Sequence, residues 1–158
     1  MSLALSAAAA AEIDAIVARY PRAPSAVLPV LHVIQRERGF VPAEAQEWVA
    51  RRLDMPAAKV EEVLSFYTMF HRAPAGRRHL QICRSLACYL RGEESITAAI
   101  RGEIGAGPGE RTADGKFSVI QVECLGSCGT APVVQVNDDY HENLTPERIT
   151  ALLREWSR

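Results

Sequence analysis

A chain of 158 residues has room for one ordinary domain, or for a compact domain with an added lobe. Its 18 basic and 19 acidic residues are interspersed and nearly cancel, so no field draws in nucleic acid or an anionic membrane. The longest apolar run, near Leu3 to Ala11, falls short of the roughly 20 residues a spanning helix needs, and direct membrane insertion is not expected. That run ends in small residues, as a secretory signal does. No Lys or Arg precedes it, however, and Glu12 and Asp14 lead it into an amphipathic helical pattern with Ile13, Ile16, Val17 and Tyr20. The expectation is a cytoplasmic chain, where four cysteines point to a metal site or redox chemistry before disulfides.

The first half reads as helices. Pro21 and Pro24 break the opening pattern, and Ser25 is placed to cap a second helix with the apolar stripe Val27, Val30, Leu31 and Ile34. Pro29 belongs in its first turn and Gly39 at its end. Pro42 starts a third helix with Ala45, Trp48, Val49 and Leu53 on one face. Asp54 and Pro56 start a fourth, whose stripe Val60, Val63, Leu64 and Tyr67 continues toward Phe70. These positions are spaced as helix-helix core, and residues 1–77 hold no catalytic constellation.

Pro74 and Gly76 interrupt the helical period, and the character then changes. His79 to Cys83 alternates as a short strand that delivers Cys83 at its end, and a helix follows through Glu94, Ile96, Ala99, Ile100 and Ile104. Gly105 to Gly109 is a loop without the strand, Lys-Ser/Thr pair or spacing of a phosphate fingerprint. Asp114 and Gly115 turn the chain into a strand over 116–123, which again delivers a cysteine. Residues 132–136 form another strand, 137–139 a turn, and 140–143 a short extended piece. Thr145 caps the last helix, with Pro146 at its first position and Ile149, Leu152, Leu153 and Trp156 facing inward. Both cysteine pairs thus fall at loop mouths just after strands, where open α/β sheets place their sites.

Cys83 and Cys88 form a C-x4-C pair, Cys124 and Cys128 a C-x3-C pair. Disulfides within the pairs would close very small loops and leave the glycine-rich wrapping of Cys124 to Gly129 without a purpose. Structural zinc takes four thiolates from tight pairs, and the spacing permits it, although an apolar α/β core does not need a metal to fold. A 2Fe-2S cluster takes two thiolates on each iron and is stabilised by N–H donors to its sulfurs, which a glycine-rich loop supplies. The C-x2-C-x2-C run of a 4Fe-4S site, the C-x4-C-x2-C order of plant ferredoxins, the Cys/His pairs of a Rieske centre and a redox C-x-x-C are all missing. His32, His71, His79 and His141 are scattered without ligand spacing and read as surface or satisfied core, and none makes a nucleophile of Cys88 or Cys128. On the residues alone, zinc and an iron-sulfur cluster both stay open.

Three strings carry a resemblance: Cys83 to Gly92, Pro108 to Phe117, and Glu123-Cys-Leu-Gly-Ser-Cys-Gly-Thr-Ala-Pro132 running on to Leu144. Together with the helical segment Val60 to Phe70, they closely resemble the thioredoxin-like 2Fe-2S subunits, the E subunits, of bacterial NADH:quinone oxidoreductase, respiratory complex I. The resemblance covers nearly the whole chain. It implies an α+β or α/β chain with a helical docking bundle over 1–77, followed by a thioredoxin-like 2Fe-2S ferredoxin domain over 78–158. By it, Cys83, Cys88, Cys124 and Cys128 are the four ligands of one 2Fe-2S cluster. It further implies a flavin-bearing partner subunit that holds FMN and oxidises NADH, and attachment to the inner membrane only through the complex. The present chain would accept or store one electron. Related small subunits occur in soluble NAD-dependent formate dehydrogenases and hydrogenases, which the resemblance does not separate, and a zinc-stapled adaptor is the non-redox alternative.

Overall fold

The Ser6 hydroxyl accepts a hydrogen bond from the Ala9 N–H and opens the first helix, α1 (Ala7–Ala18). The computed structural model describes residues 3–158. It divides them into one compact unit that stops at Pro74 and another spanning Ala75–Arg158.

The first unit continues with α2 (Val27–Arg38), α3 (Ala43–Arg52) and α4 (Ala57–Phe66). Ile13, Val30, Leu31, Ile34, Val49, Leu53, Val60 and Leu64 form its dry interior. Three local expectations change. Ser25 lies inside a 3-10 turn, Ala23–Ala26, and α2 begins after it with Ala26 at the cap and no side-chain capping bond. Pro42 and Pro56 stand at the N-caps of α3 and α4 rather than in their first turns. The fourth helix stops at Phe66 because Tyr67 takes an extended conformation, so Phe70 reaches the core from the following turn while Phe66 is left 77% exposed. Among the described residues no helix is long and apolar enough to cross a membrane.

The second unit is a four-stranded sheet in the order β2-β1-β3-β4, with β1 Arg78–Cys83, β2 Phe117–Val122, β3 Val134–Val136 and β4 Asp139–His141. The two longer strands run parallel, joined through α5 (Leu86–Leu90) and α6 (Glu93–Ile104), while β3 and β4 are antiparallel. A parallel pair requires such a crossover, and the chain supplies it with a helix. The last helix, α7 (Pro146–Trp156), is capped by the Thr145 hydroxyl as the sequence predicts.

Alternation along the strands decides which side is dry. Leu80 and Ile82 of β1, Phe117 and Val119 of β2, and Val134 and Val136 of β3 meet Ile96 and Ile100 of α6 and Ile149 and Leu153 of α7 in one core. On the opposite face His79 Nδ1 lies 2.8 Å from Ser118 Oγ, which also accepts the Gly76 N–H at 2.9 Å. Gly76 allows that approach, since a Cβ there would sit 2.2 Å from the Phe117 carbonyl carbon. The other histidines are likewise structural, His32 against Phe70 and His141 against Trp156, each at about 5 Å between rings. Burial lowers the pKa of the half-buried His71.

Candidate metal centre

Parallel pairing is what gathers the cysteines. In the β1/β2 register Cys83 stands beside Val122, so the end of β1 and the loop carrying Cys124 leave the sheet at the same edge. From the other side the start of β3 closes in, with the Cys83 N–H donating to the Val133 carbonyl at 3.3 Å. The short helix α5 then turns Cys88 back toward Cys83. Sequence periodicity missed α5 because five residues are too few to show a helical repeat.

The four thiols lie as two couples. Cys83 and Cys88 are buried, packed with Ala131 and Val133 in a small core of their own, and each bears on the other's ionisation. Cys124 and Cys128 are exposed, their sulfurs 3.5 Å apart. Among the described residues no three His, Cys, Asp or Glu side chains gather as they would about a single ion. The couples are nevertheless neighbours: the main chain at Leu125 lowers the Cys83 thiol, and the charge of Cys83 bears on Cys128.

Main-chain donors surround these sulfurs. Gly126, at φ 81°, turns its N–H onto Cys124 Sγ at 3.3 Å. Burial pushes the Cys83 thiol up, but the N–H groups of Leu125 and Ser85, the Cys88 thiol and the Ser85 hydroxyl together bring it below the ordinary thiol range. Burial first, then the bond to Cys83, push Cys88 up to about 11, against a main-chain donor at Val133. Cys128 is raised by its bond to Cys124 and by that neighbour's charge. Thiols that raise one another in this way each favour the thiolate less while the others are ionised, and a cation among them would reverse the effect.

The loop holding the second couple is tied down from outside. The Tyr140 hydroxyl donates to the Leu125 carbonyl at 3.0 Å, the Asn143 N–H to the Thr130 carbonyl at 2.7 Å, and the Leu144 N–H to the Pro132 carbonyl at 3.2 Å. Thr130 Oγ1 donates to Glu142 Oε1 at 2.7 Å, and Ser127 Oγ donates to the same oxygen. Sequence reasoning had no means of finding Glu142, since a glutamate in a polar segment after a strand is an ordinary surface residue until the fold brings it to the loop.

The family model for a thioredoxin-like [2Fe-2S] ferredoxin matches residues 13–157. The chain belongs to the thioredoxin-like [2Fe-2S] ferredoxin family. Among its relatives is the E subunit of the NADH-quinone oxidoreductase of Rickettsia bellii, 47% identical over 82% of this chain and 78% of that one. Another is the E subunit numbered 2 of the NADH-quinone oxidoreductase of Rhizobium meliloti, 46% identical over 90% and 84%. Among solved structures, an NAD+-reducing [NiFe]-hydrogenase in the air-oxidized state matches with a TM-score of 0.71 at 24% identity, over 83% of this chain. The present chain spans only 22% of that hydrogenase chain, and the likeness is one of fold.

The site fits the group that gives the family its name. A 2Fe-2S cluster asks for two thiols on each of two irons and for N–H donors to sulfur, and the two couples with their main-chain donors meet both demands.

Proposed function

We propose that the chain is the electron-transfer subunit of an NADH:quinone oxidoreductase, holding one 2Fe-2S cluster on Cys83, Cys88, Cys124 and Cys128. The observation that carries this reading is the meeting of two thiol couples at one sheet edge, under main-chain N–H groups, in a chain of this family. When bound, such a cluster supplies reversible one-electron transfer. What the chain contributes is position, burial and donors. Cys83 and Cys88 provide the dry side of the site, and Ala131 and Val133 keep water from it. Gly126, Leu125 and Ser85 direct N–H dipoles at the sulfurs, which favours added negative charge.

A partner bearing the flavin and the NADH site fits this division of labour, because an electron carrier needs both a donor and an acceptor. On that reading the family relatives named as subunits of NADH-quinone oxidoreductase favour a respiratory parent over a soluble hydrogenase. The rim of the site carries exposed apolar side chains, Leu86, Tyr89 and Leu90 of α5, suited to a protein partner there. The helical unit, with no chemistry of its own, serves docking. A chain lacking residues 1–70 is expected to keep its cluster spectrum and bind the flavoprotein subunit more weakly, and undiminished binding would remove the docking role.

The deciding experiment is visible and reduced-state EPR spectroscopy on the full chain purified without oxygen, with iron, sulfide and zinc assayed on the same sample. Two irons, two sulfides and a one-electron paramagnetic reduced state are expected. One zinc with no sulfide would replace the redox reading by that of an adaptor.

A further inference from the structure

The Glu142 side chain belongs to none of the thiol couples, yet the loop carrying Cys124 and Cys128 converges on it. Its Oε1 takes the hydroxyls of both Ser127, next to Cys128 in the chain, and Thr130, the last residue of the 3-10 turn Cys128–Thr130. Those hydroxyls are 2.8 Å apart, and all three residues are half-buried. The main chain that carries the carboxylate is held as well. Arg148 Nη1, on the first turn of α7, donates to the main-chain carbonyls of Glu142 at 3.2 Å and Asn143 at 2.6 Å. The Asn143 and Leu144 N–H groups fasten the same strap to Thr130 and Pro132.

A carboxylate accepting two hydroxyl donors makes bonds stronger than those between neutral groups, and partial burial keeps it from being screened as a surface charge is. Two consequences follow for the loop. Ser127 and Thr130 are pinned to one point, which sets the turn between Cys124 and Cys128 and the aim of the Gly126 N–H on Cys124. The same oxygen accepts from the residue next to Cys128 in the chain, so its negative charge stands one residue away from a centre whose reduced state is itself the more negative one.

Building on the 2Fe-2S reading above, we propose that Glu142 is a positioning residue for the metal centre. It acts through Ser127 and Thr130 to fix the Cys124–Cys128 loop, and its charge biases the centre against reduction.

The test is a one-electron redox titration of the full chain, followed by EPR. The Glu142→Gln variant keeps the size and an accepting oxygen but removes the charge. The ratio of reduced to oxidised centre at a fixed applied potential is expected to rise about tenfold, which for one electron is a shift of about 59 mV to more positive potential. Glu147→Gln makes the same charge change on an exposed residue of α7 that faces only its own helix cap, and is expected to leave the potential unmoved. An unshifted Glu142→Gln, or an equal shift in both variants, overturns the proposal. Should Glu142→Gln load no cluster, Thr130→Val removes one clamp while keeping the charge. A changed EPR line shape is then expected, and an unchanged one overturns the proposal. A wild-type chain without a 2Fe-2S centre defeats the reading of the site, whereas a loaded wild type with unmoved variants defeats only the role of Glu142.

Discussion

The two cysteine couples use the same side chain in opposite surroundings. Cys83 and Cys88 come from the end of a strand and a helix, and are 2% exposed beside Ala131 and Val133. Cys124 and Cys128 come from a loop whose main chain is held by Tyr140, Glu142 and Asn143, and both are exposed. One couple is therefore placed by packing and the other by hydrogen bonds. The difference separates what keeps the chain folded from what keeps the site shaped.

Replacing any one of the four cysteines by serine is expected to abolish a full-strength native cluster, the largest effect here, read from iron and sulfide content. A Cys124→Ser chain with an undiminished native spectrum would withdraw that residue from the ligand set. The same series in the metal-free chain sharpens the contrast between the couples. Cys83→Ser and Cys88→Ser replace a buried sulfur packed on Ala131 and Val133 by a smaller hydroxyl and should cost about 1–3 kcal/mol in urea unfolding. Cys124→Ser and Cys128→Ser should stay within about 0.5 kcal/mol, as surface changes usually do. Equal losses at all four positions would show that packing holds both couples alike. Gly126→Ala falls between these two. Open space surrounds a Cβ there, so the cost is conformational alone, about 1–2 kcal/mol for a side chain at φ 81°. That loss belongs to the loop and should appear chiefly as weaker cluster retention.

Much of this was legible in the residues because it rested on local signals. Thr145 and Pro146 announce α7, Gly39 ends α2 at φ 78°, and the β1 and β2 patterns each end near a cysteine. Where two local signals competed, the sequence misled: Ser25 is a good cap, but Pro24 ahead of it favours a tight turn, and α2 starts two residues later. The grouping of the thiols was out of reach of spacing alone, since it depends on β1 and β2 being parallel rather than antiparallel. Glu142 was out of reach for a different reason, because its partners lie in a loop across the β3–β4 hairpin and no periodicity links them.

The parallel register has a last consequence, for the unfolded chain. Between Cys88 and Cys124 lie α6 and all of β2, so a group gripping both couples ties off a long segment as a cross-link does. Closing a loop of that length removes denatured-state entropy worth on the order of 3–4 kcal/mol. With the proposed ligand set, the same four residues would also restrain the chain, and loss of the inorganic core should lower the melting temperature of the whole second unit rather than loosen one loop.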